Sequence, residues 1–126
     1  MILLDSNAFY WFVTGQDEFG KRARSLIANS PKVYVSALSV LELTVKRQLA
    51  KLPNLDFSEA IVASDLLELP LQVSDLSSVN DFPALDRHDP IDRALLSQAR
   101  ANRLVFMTSD PKLLGLSFNW VANVGE

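Results

Sequence analysis

Residues 89–110 read DPIDRALLSQARANRLVFMTSD, and this stretch decides the fold. Asp89 offers a side-chain oxygen to free helix N–H groups, Pro90 suits the first helical position, and Asp92 adds an acid to the first turn. The spacing predicts a helix from there to about Asn102. Leu104 to Met107 follows as an apolar run of strand type and ends on Thr108-Ser109-Asp110. A helix that runs at once into a short buried strand is the repeating unit of a parallel sheet.

The same alternation holds outward from this stretch. Ile2 to Leu4 reads as a buried strand ending on Asp5, and Asn7 to Val13 as a short helix. Asp17 to Ala28 reads as a second helix, with Phe19, Ala23, Leu26 and Ile27 on one face. Lys32 to Val35 is strand-like, and Ser36 caps a long helix running to about Lys51. Pro53 and Asn54 form a turn before a helix from about Ser58 to Glu68, and Leu71 to Val73 is a third strand. Ser74 to Arg87 is irregular around a short helix. Pro111 to Leu114 is a helical turn and Phe118 to Val121 a last strand. The fold class expected is α/β, a parallel β-sheet flanked by helices on both faces, in one domain over residues 1–126. In such folds ligands gather beyond the carboxyl ends of the strands. Asp5 and Asp110 both follow strand runs, so the fold would deliver two acids to one edge.

Composition narrows the chemistry. There is no cysteine, which removes disulfides, thiolate nucleophiles and cysteine-containing zinc sites, and suits a reducing cytoplasm. With His88 the single histidine, a His-rich metal site is out of reach. Metal chemistry must then rest on carboxylate oxygens, which means hard ions such as Mg²⁺ or Mn²⁺. The start, Met1-Ile2-Leu3-Leu4-Asp5, does not read as a signal peptide. No apolar stretch approaches the roughly 20 residues needed to span a bilayer, so no membrane partner is expected. A net charge of -3 advertises no global nucleic-acid affinity, although a local metal site can engage phosphate. With four glycines and no GxxxxGK there is no phosphate-cradling loop.

Each acid also has a plain structural explanation. Asp5 taken alone is better read as an N-cap. Glu42 stands in an apolar helix start, Leu38-Ser39-Val40-Leu41-Glu42-Leu43, and is evenly balanced against a surface pairing with Lys46 at i+4. Asp89 has the better capping position, while Asp92 suits either the helix dipole or chemistry. Asp110 precedes Pro111 and again suits a cap. Thr108 and Ser109 add hydroxyls able to orient a carboxylate or a metal-bound water. His88 reads as a loop residue rather than a ligand, because there is no second imidazole to partner it. Lys46 and Arg93 read as solvated helix positions.

Four segments in order, LLDSNAFYW, VSALSVLEL, DPIDRALLSQA and RLVFMTSD, resemble the signature segments of PIN-domain ribonucleases, and most of all the VapC-type toxins of toxin–antitoxin pairs. The resemblance spans essentially the whole chain. It assigns the four catalytic and metal-binding acids to Asp5, Glu42, Asp92 and Asp110, with Asp89 as a supporting residue; the hydroxyl residues Thr108, Ser109 and Ser39 complete the supporting set. Ile91 stands where Phe is usual and Ser109 where Arg is frequent. Neither touches a carboxylate, although Ser109 removes a charge that would have gripped RNA.

The resemblance implies a PIN-like α/β/α sandwich and a Mg²⁺- or Mn²⁺-dependent endoribonuclease leaving 5′-phosphate and 3′-hydroxyl ends. It also implies a structured RNA substrate such as tRNA, a cognate antitoxin and a homodimer. Independently, Phe9-Tyr10-Trp11-Phe12-Val13 wraps most of a helix's circumference, which one core face cannot bury, so a partner surface is expected there. Two rival readings stand. One is another metal-dependent phosphoesterase, such as a flap-type nuclease or a phosphatase, although Asp5-Ser6-Asn7 lacks the second acid of a DxD nucleophile motif. The other is a catalytically inactive binding module.

Overall fold

The computed structural model describes residues 1–49 and 55–126. Five short strands, β1 (Ile2–Leu4), β2 (Val33–Ser36), β3 (Leu67–Leu69), β4 (Val105–Thr108) and β5 (Val121–Asn123), form one sheet in the order β3-β2-β1-β4-β5. Every pairing is parallel, with Leu3 of β1 facing Tyr34 of β2 on one side and Phe106 of β4 on the other. The helices are α1 (Ser6–Thr14), α2 (Lys21–Ala28), α3 (Ala37–Gln48), α4 (Phe57–Ala63), α5 (Pro90–Ala101) and α6 (Pro111–Leu114). This is the parallel α/β/α architecture expected.

The period-2 geometry of strands divides the core into two layers. Ile2 and Leu4 point into one layer with Val33, Val35 and Met107, against Ala8 and Phe9 of α1, Ala23 of α2, Leu43 of α3, and Phe57 and Ile61 of α4. Leu3 and Phe106 point into the other, against Leu95, Leu96 and Ala99 of α5 and Leu113 of α6. Because β1 lies between β2 and β4, the strand order reverses at β1 and β4. A crevice opens at such a switch point beyond the carboxyl ends. Asp5 and the residues following Thr108 stand there.

Four boundaries differ from expectation. The helix expected from Ser58 to Glu68 stops at Ala63, because Asp65 takes a left-handed φ of 56°, and Leu67–Leu69 becomes the third strand. Leu71 to Val73 is not a strand; Pro70 follows β3 directly and Val73 opens a 3₁₀ turn. The last strand is Val121–Asn123 instead of Phe118 to Val121, since Phe118 and Trp120 stack at 5.2 Å and pack on the second core layer. The second helix begins at Lys21, later than Asp17. Long helix α3 is described to its cap at Leu49; its expected end near Lys51 and the turn at Pro53 and Asn54 lie outside the described residues.

The aromatic run is more core than surface. Phe9 is fully buried and meets Phe57 at 6.3 Å, while Phe12 leans on Phe19 at 5.3 Å. Tyr10, Trp11 and Val13 are half-buried against the same layer. Helix α1 sits between other elements on more of its circumference than a one-face count allows. Among the described residues, no helix is long and apolar enough to cross a membrane.

Candidate functional site

Asp5 leaves β1 and opens α1. Its Oδ1 accepts from the Ala8 N–H at 2.7 Å, so the capping role read from the sequence is real. Its Oδ2 is free for another task and accepts from Thr108 Oγ1 at 2.6 Å. The residue is 6% exposed, and burial pushes its pKa from 3.8 to about 6. The charge of Glu42 pushes the same way, while the hydrogen bonds from Thr108 and Ala8 oppose. Capping and chemistry are therefore compatible in this residue.

Asp92 is the third residue of α5, with Pro90 first. Burial raises its pKa to about 6, then the charges of Glu42, Asp89 and Asp5 add to the rise, and His88 opposes it. Asp110 caps α6, its Oδ1 accepting from the Lys112 N–H at 2.8 Å. Glu42 is half-buried on α3, and its charge acts on both Asp5 and Asp92. Among the described residues it forms no ion pair with Lys46, so the surface-pair explanation does not apply. Four acids from four distant segments thus share one electrostatic neighbourhood, although only Asp92 and Asp110 belong to its tightest group.

The third member of that group is His88, which sequence reasoning passed over. Its Nε2 lies 3.1 Å from Asp92 Oδ2 and 2.9 Å from Asp110 Oδ2. Ligand atoms of His88, Asp92 and Asp110 all fall within 4.8 Å of one another. A turn holds the residue, its backbone N–H donating to Leu85 O at 2.8 Å. The available signal was position: His88 immediately precedes the capping Asp89 and stands four residues before Asp92.

Among the supporting residues, Asp89 caps α5, its Oδ1 accepting from the Ile91 N–H at 2.7 Å, and its charge is felt at Asp92. Thr108 is fully buried and also accepts from the Asp110 N–H at 3.1 Å. Ser109 is half-buried beside it. Ser39 is fully buried on α3, and its hydroxyl lacks a hydrogen-bond partner.

The donor set fits a divalent cation. Burial holds the Asp5 and Asp92 carboxyls above their ordinary pKa, and oxygen ligands of Asp92 and Asp110 with one nitrogen of His88 stand close enough to share an ion.

The PIN domain family model matches residues 2–119. A toxin–antitoxin complex from Klebsiella pneumoniae superposes with a TM-score of 0.69 at 16% identity, covering 98% of each chain. The FitAcB structure from Neisseria gonorrhoeae gives 0.57 at 20% identity, covering 98% of this chain and 96% of that one. VapC20 from Mycobacterium tuberculosis, a sarcin–ricin loop cleaving toxin, gives 0.53 at 18% identity, covering 97% and 99%. No curated protein matches in sequence.

Proposed function

The chain belongs to the PIN-domain family, and from that premise we propose that it is a metal-dependent endoribonuclease of VapC type, working as a single domain over residues 1–126. The observation that carries the proposal is the grouping of Asp92 and Asp110 around His88 beyond the strand ends, with Asp5 and Glu42 near enough for their charges to act on Asp92. Burial, with the charges of neighbouring acids adding to it, raises the pKa of Asp5 and Asp92 to about 6. A bound cation would offset the repulsion between these carboxylates once they ionise.

Asp5, Glu42, Asp92 and Asp110 would hold Mg²⁺ or Mn²⁺, directly or through water. When bound, the ion would lower the pKa of a water and stabilise charge on the attacked phosphodiester. The protein's part is orientation. Thr108 aims Asp5, the α5 cap at Asp89 sets the first turn that carries Asp92, and the α6 cap leaves Asp110 Oδ2 facing the site. Likeness to toxin–antitoxin structures supports a cognate antitoxin as partner. A homodimer, a structured RNA such as tRNA as substrate, and action in the cytoplasm complete the reading.

The test is cleavage of single-stranded RNA beside single-stranded DNA, with and without Mg²⁺ or Mn²⁺. RNA cleavage should require metal and leave 5′-phosphate ends. Asp5→Asn, Glu42→Gln, Asp92→Asn and Asp110→Asn should each remove most of it. Preferential DNA cleavage would favour a flap-type nuclease, and metal binding without cleavage a binding module.

A further inference from the structure

His88 has no place in the all-carboxylate set, yet its imidazole is seated between two members of it, Asp92 and Asp110. Nε2 stands 3.1 Å from Asp92 Oδ2 and 2.9 Å from Asp110 Oδ2, with the side chain only 13% exposed. A single ring N–H cannot point at two oxygens on different elements at once, so the metal-free contact is a compromise between acceptors. The spacing suits coordination better. Two ligand atoms at right angles around an ion with bonds of about 2.1 Å stand about 3.0 Å apart. Both observed separations match that edge. Replacing the shared proton by a cation would require little movement of the three side chains.

Resting on the metal-site reading above, we infer that His88 Nε2 is itself a ligand of the divalent ion, giving a mixed imidazole–carboxylate site that selects Mn²⁺ over Mg²⁺. The selectivity follows from donor type. Mg²⁺ takes oxygen ligands and keeps its waters, whereas imidazole nitrogen is a good ligand for first-row transition ions. With carboxylates alone, the two ions would be distinguished far less.

The experiment uses untagged protein loaded with Mn²⁺ and read by pulsed electron paramagnetic resonance. Because His88 is the single histidine, an imidazole ¹⁴N modulation has one possible source. The wild type should show that modulation, and His88→Gln should lose it while still taking up Mn²⁺. Calorimetric titration of His88→Ala should show Mn²⁺ affinity reduced about tenfold or more and Mg²⁺ affinity changed less than about threefold. The wild-type spectrum decides the matter even if a variant folds poorly. Mn²⁺ bound without nitrogen modulation overturns the ligand role and leaves the metal site standing. A wild type that takes up neither ion overturns both.

Discussion

Thr108 Oγ1 donates a 2.6 Å hydrogen bond to Asp5 Oδ2 across 103 residues of sequence. The same oxygen accepts from the Asp110 N–H at 3.1 Å. One fully buried hydroxyl therefore joins the ends of β1 and β4 and fixes its single proton toward Asp5. Two acids that the chain supplies separately are held in one frame by this residue.

Thr108→Val keeps the shape and removes both hydrogen bonds. It should cost about 1.5–3 kcal/mol in stability at neutral pH, the range for a lost bond to a charged group. Mn²⁺ affinity should fall about tenfold, as for other residues that orient a metal ligand. Thr108→Ser keeps the hydroxyl and should stay close to wild type in both. Denaturant unfolding and calorimetric titration measure the pair of effects. Equal behaviour of the two variants would show that the hydroxyl orients nothing.

The raised pKa of Asp5 carries a pH signature. An acid whose folded pKa, about 6, exceeds its ordinary 3.8 binds protons more tightly when folded. Its contribution is present below about pH 3.8 and lost as pH rises through 6. At pH 7 to 8 without metal, the ionised carboxylate should make wild type less stable than Asp5→Asn by up to about 3 kcal/mol. That difference should vanish near pH 4, and stabilisation by Mn²⁺ should grow across the same window as protons stop competing. Thermal melts of both proteins from pH 4 to 8 test this. A pH-independent difference would mean that Asp5 is not held in its protonated range.

What the sequence made legible, and what it hid, both have physical causes. The central strands are buried, so Ile2–Leu4 read directly as an apolar run, and the expected Leu104 to Met107 falls within one residue of the observed Val105–Thr108. The misplaced strands fall at the two edges of the sheet. Leu67 and Glu68 of β3 are exposed, and β5 is Val121-Ala122-Asn123, half-buried throughout, so neither carries a strong apolar signal. In the site, strand-end placement pointed to Asp5 and Asp110, whereas Asp92 was separable from Asp89 only through the family pattern. His88 was discounted for want of a second imidazole. Its partners are carboxylates instead, one of them 22 residues further along the chain, a relationship created only by folding.

Asp89 and Asp92 divide the work at the start of α5. Asp89 is exposed and spends Oδ1 on the Ile91 N–H, so Asn can replace it with little loss and Ala should cost about 1 kcal/mol. Asp92 reaches no backbone N–H but faces His88 at 3.1 Å. Asp92→Asn should thus abolish most RNA cleavage and blunt the response to metal, while Asp89→Asn keeps both within a small factor. Parallel turnover and melting measurements with metal would settle the division. A loss at Asp89 as deep as at Asp92 would make both residues part of the chemistry.

Helix α5 is anchored by a polar clamp away from the acids. Ser97 Oγ donates to Asp75 O at 2.6 Å and accepts from the Ser78 N–H at 3.2 Å, with Ser78 Oγ a further 2.9 Å contact. Asn102 adds a bond to Asp75 Oδ1 at 3.1 Å. Ser97, Ser78 and Asp75 are all buried, so their polar atoms cannot turn to water when a partner is removed. Ser97→Ala leaves the Asp75 carbonyl and the Ser78 N–H unpaired at once. Each unpaired group costs about 1–3 kcal/mol, which places the loss at about 2–6 kcal/mol. Leu95, Leu96 and Ala99 still hold the helix against the sheet, so Asp92 should keep its place. The expected result is a lower denaturation midpoint with Mn²⁺ affinity of the folded protein unchanged. A comparable loss of metal affinity would instead make the clamp the device that positions Asp92, since packing alone would then have failed to do so.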